Sequence, residues 1–398
     1  MKPNTIALNI LLSLASTLLC FLFLEAAARI YLVHFSSKSI FLKYASLQLL
    51  QERYDATSSL EGLKTQTRYL ETKTRYLPHR YLGYFPTHNY SEGKNRHNSL
   101  GFRGDEIDMP KPRDEFRIVC MGGSTTYDGQ IEDYKLSFTS LLEAKLKSKG
   151  YGKVKVINAA AGGWSSWELL INFELRILDL EPDMIILYTG HNDINARLVW
   201  PPEAYKGDNS GWRVPNHGLS MPSIFEYSTF LTALMIRTGL TQSHNDLARS
   251  FAKHSQTYYR DSFREQKIKG IYPQGIFKKT SAAKMLETNK PKYFARNIEN
   301  IVIIAKQRGI KTLLASFAFS PLFEEPVASS EEYITATAEM NAEVQRIAKH
   351  YKVNFFDFNA VFPKDKKYFT DGVHVSIEGA RLKAKLFADF IVLNRLVL

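Results

Sequence analysis

Four short motifs carry the residues able to do covalent chemistry. They are Met121-Gly122-Gly123-Ser124-Thr125-Thr126, Asn158-Ala159-Ala160-Ala161-Gly162-Gly163, Gly190-His191-Asn192-Asp193 and Asp371-Gly372-Val373-His374. Between them they hold a hydroxyl (Ser124), a small residue with a backbone N–H (Gly163), a side-chain amide (Asn192) and an imidazole near a carboxylate (His374, Asp371). A serine activated by a histidine, facing N–H donors that stabilise an oxyanion, is equipment for acyl transfer. Each motif also has a plainer reading. Ser124 suits a helix N-cap, Gly162-Gly163 a turn, and Asn192 and Asp193 a cap on the turn that follows, which is the preferred reading for Asp193. Asp-x-x-His occurs often by chance, and His97 and His191 read as structural.

The four motifs share one feature: each follows a short apolar run. Phe116–Met121, Val154–Asn158, Met184–Tyr188, Lys311–Ala315 and Val353–Phe356 read as strands. Amphipathic stretches separate or follow them at Ser137–Lys149, Trp167–Leu178, Phe294–Arg308, Glu332–Tyr351 and Ser376–Leu393. Such alternation predicts an α/β fold with a five-stranded parallel sheet and helices on both faces, a flavodoxin-like three-layer sandwich. In an open sheet of this kind the carboxyl ends of the strands meet at one crevice. Ser124, Gly163, Asn192 and the Asp371–His374 pair would then converge.

Ser124 lies on neither of two better-known loops. A Walker A loop ends in Gly-Lys-Ser/Thr, and the G-x-S-x-G elbow needs glycine where this chain has Thr126. The order of the motifs instead resembles the SGNH hydrolases, also called GDSL esterases and lipases, from about Arg117 to the C terminus. This resemblance implies that Ser124 is the nucleophile and that Asp371 and His374 complete the catalytic set. It also implies an oxyanion hole of Ser124, Gly163 and Asn192. Gly123 stands where the family has Asp, Thr125 where it has Leu, and Ala160 where many members have another Gly; none of these removes a catalytic role. The N-terminal apolar segment and the loop Asn98-Ser99-Leu100-Gly101-Phe102-Arg103-Gly104 resemble membrane-anchored bacterial members.

Residues Pro3 to Leu24 form 22 uncharged positions rich in Leu, Ile and Ala. That length crosses a hydrocarbon core of about 30 Å as a helix. A cleaved signal peptide competes, with Ala26-Ala27-Ala28 as its cleavage site, but its apolar region runs to only about 7–15 residues. An uncleaved anchor is favoured. Lys2 on one side, and Arg29, Lys38 and Lys43 on the other, lean towards a cytoplasmic catalytic domain. The enzyme class leans to a single-pass protein with its catalytic domain on the extracytoplasmic, periplasmic or outer, side. The expected organisation is an anchor or signal peptide at 1–30, a juxtamembrane helix and loop region at 31–112 and a hydrolase domain at 113–398. Ile40 to about Tyr81 reads as a helical stalk ended by Pro78 and Pro86, and 83–112 as mostly loop.

An insertion at about 195–292 interrupts the alternation. It carries Pro201-Pro202, Pro215, Pro222, Trp200, Trp212, Tyr258 and Tyr259, and it is expected as a substrate lid or a helical subdomain. The whole chain has 398 residues, 44% of them apolar, and a net charge of +12. Lys253 to Arg296 holds eleven Lys/Arg against three Asp/Glu. This reads as a solvated helical face, or as an attraction to anionic lipid or acidic polysaccharide. Nucleic acid is not expected as a partner, since the standard binding motifs are missing. The two cysteines, Cys20 and Cys120, suggest no disulfide, and the ten histidines show no H-x-x-x-H spacing, so neither metal nor cofactor is expected. The expected function is hydrolysis of a small-molecule, glycan or lipid acyl ester through an acyl-serine. Two alternatives stand: an O-acyltransferase passing the same acyl group to a polysaccharide, and an inactive membrane-anchored binding protein.

Overall fold

The computed structural model describes residues 3–46, 48–49, 52, 75–79, 82–208, 227–241, 257–323 and 327–397. Most of the expected stalk, and Trp212, Pro215 and Pro222 of the insertion, lie outside them. In chain order the elements begin with helices α1 (Pro3–Ile30), which continues as a π-helical turn to Phe35, and α2 (Lys38–Tyr44). Two hairpins follow, β1 (Tyr76–His79) with β2 (Gly83–Pro86), and β3 (Ser91–Glu92) with β4 (Asn95–Arg96). Next come β5 (Phe116–Gly122), α3 (Ser124–Tyr127), α4 (Phe138–Ser148), β6 (Val154–Asn158), α5 (Ser166–Asn172), β7 (Met184–Tyr188) and α6 (His191–Ala196). Helices α7 (Thr229–Arg237), α8 (Arg260–Ile268), α9 (Ala282–Thr288) and α10 (Lys292–Gln307) precede β8 (Lys311–Ala315). The chain ends through α11 (Glu331–Tyr351), β9 (Asn354–Phe356), α12 (Phe358–Val361) and α13 (Ile377–Leu393).

The chain divides into two compact units, Met1–Leu70 with Pro215–Phe251, and Glu71–Val214 with Ala252–Leu398. The larger unit is built on a five-stranded sheet ordered β6-β5-β7-β8-β9, with every pair parallel. This is the flavodoxin-like order, whose crevice opens between the first and third strands, here β5 and β7. Alternation along the strands sorts two cores. Val119, Met121, Ile185 and Leu187 face α5, α10 and α11, while Ile118, Cys120, Met184 and Ile186 face α4 and α13. Serines set several helix starts. Ser165 and Glu168 form a capping box on α5, and Ser330 and Ser376 accept from Tyr333 N and Gly379 N.

Two parts differ from the sequence expectation. Tyr76–His79 is a strand rather than the end of a helical stalk, because pairing with Gly83–Pro86 turns Tyr76 and Tyr84 together onto Gly162. The insertion is not one body. Residues 257–292 pack into the main core through Phe263, Phe277, Met285 and Leu286. Buried Arg197 ties this part down by donating to the carbonyls of Asn289 and Leu286, both at 2.6 Å, and to Glu339. Helix α7 belongs instead to the smaller unit, with α1 and α2.

Candidate active site

Strand β5 ends at Gly122, Gly123 caps the turn that follows, and neither glycine has room for a side chain. A Cβ on Gly122 would lie 2.4 Å from the Tyr188 carbonyl, and one on Gly123 would lie 2.7 Å from Asn192 Nδ2. The chain then makes one helical turn, α3, with Ser124 first. Thr126 and Tyr127 both donate their N–H to the Gly123 carbonyl.

A turn this short leaves most of its carbonyls unpaired. The Ser124 carbonyl accepts from Asp128 N at 2.8 Å, and those that follow are met by side-chain donors. Lys383 Nζ binds the Thr125 carbonyl at 2.8 Å and Asn158 Nδ2 binds that of Thr126 at 3.1 Å. Arg103 Nη1 binds those of Tyr127 and Asp128 at 2.6 and 3.0 Å. Two cations thus sit at the carboxyl end of the turn, where they complement its dipole, and Ser124 sits at the opposite end. Lys383 is wholly buried, with its ammonium 3.9 Å from the Tyr188 ring centre and 4.4 Å from that of Phe138. Burial lowers its pKa to about 8 against the pull of Asp128.

His374 arrives from the opposite end of the sequence on a turn that closes tightly. Gly372 takes φ +77°, and a Cβ there would lie 2.8 Å from the Ser320 carbonyl. Asp371 Oδ1 accepts the N–H of both Val373 and His374, at 3.0 and 2.8 Å. Its Oδ2 lies 2.7 Å from His374 Nδ1, and His374 Nε2 lies 2.8 Å from Ser124 Oγ. With Nδ1–H donating to the carboxylate, Nε2 carries the lone pair that accepts from the serine hydroxyl. Burial would raise the Asp371 pKa. The hydrogen bond and charge of His374, with the two backbone donors, outweigh it and hold the carboxyl at about 2.

Asn192 follows β7 at the start of α6 and gives one amide hydrogen to the Trp164 carbonyl at 2.8 Å. Gly163, next to Trp164, has φ +77°. The preceding Gly162 is clamped, its N–H donating to Tyr76 Oη at 3.0 Å and its carbonyl accepting from Tyr84. Hairpin β1–β2 therefore fixes the loop that carries Gly163.

Asp193 is a cap, but not of the turn that follows it. It accepts from Ser166 N, at 3.0 and 3.1 Å, and from Ser166 Oγ at 2.6 Å, so it caps α5. His191 stacks on Phe317, and burial followed by the charge of His374 lowers its pKa to about 3. His97 bridges the Thr87 carbonyl, at 2.9 Å, and Tyr127 Oη, at 2.7 Å. Burial lowers its pKa also to about 3.

Sequence reasoning assigned no role to Lys383, Arg103 or Tyr76. Lys383 had a signal, since it occupies the inward stripe of α13 with Ala380, Ala384 and Phe387. Arg103 lay inside the Asn98–Gly104 loop, which stood out as a motif without a purpose. Among the described residues no group of three or more His, Cys, Asp or Glu is placed to hold a metal ion.

No curated protein matches the chain. Solved structures do. A GDSL-like lipase from Bacteroides thetaiotaomicron is 15% identical, over 72% of this chain and 91% of its own, with a TM-score of 0.38. The lipase/acylhydrolase from Enterococcus faecalis is 15% identical, over 69% and 95%, with a TM-score of 0.39. An acetyl xylan esterase is 14% identical, over 69% and 100%, with a TM-score of 0.40. The family model for GDSL-like lipases and acylhydrolases matches residues 120–382, a span that runs from β5 into α13 and takes in all four motifs, and the chain belongs to that family.

Proposed function

We propose that the protein is a membrane-anchored serine esterase that cleaves carboxylic esters through an acyl group carried on Ser124. The observation behind this reading is the hydrogen-bonded line Ser124–His374–Asp371, at 2.8 and 2.7 Å. In the first half-reaction His374 Nε2 takes the Ser124 proton as Oγ attacks the ester carbonyl. The carbonyl oxygen becomes an oxyanion facing the N–H groups of Ser124 and Gly163 and the Asn192 amide. Collapse breaks the bond to the alcohol, which leaves with the proton from His374. Water then repeats the sequence on the acyl-serine, giving the acid and free Ser124. Asp371 holds the imidazole in one tautomer and balances its transient charge. With α1 as anchor and the catalytic unit on the extracytoplasmic side, esters of envelope glycans or lipids are the substrates within reach.

The test is labelling of the full-length protein by a fluorophosphonate, together with turnover of acyl esters from short to long chain. Ser124 is expected to be the labelled residue, and Ser124→Ala and His374→Ala are each expected to end turnover while the folded state persists. Labelling that survives Ser124→Ala overturns the assignment.

A further inference from the structure

Helix α7 buries its threonines most deeply, while Phe230, Leu231, Met235 and Ile236 are only half-buried. Its buried residues are Thr229 and Thr232, and its N-cap Ser228 is buried with them. Leu234 is 47% exposed, and Leu240 just beyond the helix is 56% exposed. Water drives the apolar stripe of a helix inward. Polar groups inside and leucines outside are the arrangement that hydrocarbon surroundings favour. The polar interior is itself satisfied, with Thr229 Oγ1 lying 2.9 Å from Ser46 Oγ.

Three contacts fix how α7 runs along α1. Arg29 donates to the Tyr227 carbonyl at 3.3 Å. Glu25 accepts from Thr229 N and Phe230 N, both at 2.9 Å, and from Ser228 Oγ at 2.8 Å. Phe21 meets Phe230 edge-on, with ring centres 6.1 Å apart. As α7 advances from 227 to 230, its partner on α1 retreats from 29 to 21. The helix is therefore antiparallel to α1 and runs back along the apolar stretch for about 13 Å, ending in exposed Arg237, whose long side chain must carry its charge back to the interface. Arg29 and the exposed Tyr31 and Tyr227 mark the water-facing end of the pair.

A helix that starts at the edge of hydrocarbon must have its first N–H groups satisfied by protein. Glu25 takes two of them, and Ser228 Oγ takes a third from Leu231 at 3.1 Å. Glu25 is the one acidic residue in α1, and its charge is paired with Arg29 one turn on, at 2.7 Å, as an ionisable group in a spanning helix requires.

We propose that residues 227–241 form a re-entrant element that enters the same bilayer as α1, with lipid covering Leu234 and Leu240. This rests on reading α1 as a membrane anchor. It also requires that α1 is retained, because cleavage at Ala26–Ala28 would remove Glu25 and strip α7 of its cap.

The test uses the full chain in phosphatidylcholine vesicles containing a minority of phosphatidylglycerol. In a Cys20→Ser background, single cysteines replace Leu234 or Leu240 and carry an NBD label. Phe23→Cys on α1 and Lys385→Cys on the exposed side of α13 are the references, and buried Cys120 stays unlabelled. Doxyl-labelled lipid is expected to quench the label at Leu234 and Leu240 as it does at Phe23, and not at Lys385. Glu25→Ala is expected to bring a loss of quenching at Leu234, with Glu25→Gln retaining part of it. Doxyl quenching at Phe23 combined with iodide quenching at Leu234 and Leu240 overturns the proposal and leaves the anchor standing. Absence of doxyl quenching at all positions overturns both.

Discussion

Asn192 is the residue whose replacement separates chemistry from architecture. One of its amide hydrogens goes to the Trp164 carbonyl at 2.8 Å, and the other is the proposed oxyanion donor. If architecture were its whole role, Asn192→Ala would cost about 1 kcal/mol of stability and little turnover. The expected outcome is a fall in kcat of roughly 10²–10³-fold with KM nearly unchanged, because the donor acts on charge that develops only in the transition state. Steady-state kinetics beside a melting curve decides between them. Gly163 is a poorer probe. At φ +77° any side chain strains the backbone, so a loss of activity there would not isolate the oxyanion. Asp371 needs no tuning by pH in the working range. Its carboxyl is held at about 2, so its contribution to stability is complete above the unfolded value near 3.9 and disappears only as pH falls through 2.

At the scale of the element, α3 is a single turn held in place by groups brought from three distant parts of the chain. Arg103→Met leaves the Tyr127 carbonyl without its donor, and the Asp128 carbonyl with the Ile131 N–H alone. A loss of about 3 kcal/mol or more is expected in denaturant unfolding, with kcat falling as the turn loosens. The same loop predicts a pH dependence. His97 is neutral in the folded protein, donating from Nδ1 to the Thr87 carbonyl and accepting at Nε2 from Tyr127. Its folded pKa, about 3, lies below the unfolded value, about 6.5. The unfolded chain therefore takes the proton first, and the stability is full above pH 6.5 and drains as pH falls towards 3, by up to about 1.4 kcal/mol per pH unit. His97→Gln is expected to flatten the acid side of the unfolding midpoint against pH. The sheet and the neighbourhood of Ser124, His374 and Asp371 were legible because strand ends and motifs coincide in sequence. The supports were not, since Lys383 meets Thr125 across 258 positions, and periodicity reports only a residue's own element. Hairpin β1–β2 escaped for a related reason: its pairing is decided by what Tyr76 and Tyr84 can grip, Gly162, about 80 positions away. Helix α7 escaped because apolar residues in a short helix read the same whether core or lipid receives them.

At the scale of the whole molecule two forces could hold this chain at a membrane, and they respond differently to solvent. One is apolar burial, chiefly of α1, whose Leu11, Leu14, Leu18, Leu19 and Phe23 are all more than half exposed, with the smaller proposed share of α7. The other is the net charge of +12, attracted to anionic lipid. Part of the basic run is already engaged within the protein, with Lys267 paired to Glu332, Lys284 to Glu287 and Lys290 to Glu339. High salt shortens the reach of charge to about 3 Å at 1 M, and alkaline carbonate neutralises lysines, yet neither weakens burial of an apolar helix. The full-length protein is therefore expected to stay with the membrane pellet through salt and then carbonate, and a chain lacking residues 2–24 is expected to leave it. Release of the full-length protein by salt alone would mean that charge, and not α1, holds it. Sidedness is a separate question, since Arg29, Lys38 and Lys43 favour the cytoplasm for the segment after α1 and the proposed envelope substrates favour the opposite side. A reporter fused to the C terminus is expected to be active only outside the cytoplasm. Activity inside would leave the serine chemistry untouched and redirect the search for its ester to cytoplasmic lipids and thioesters.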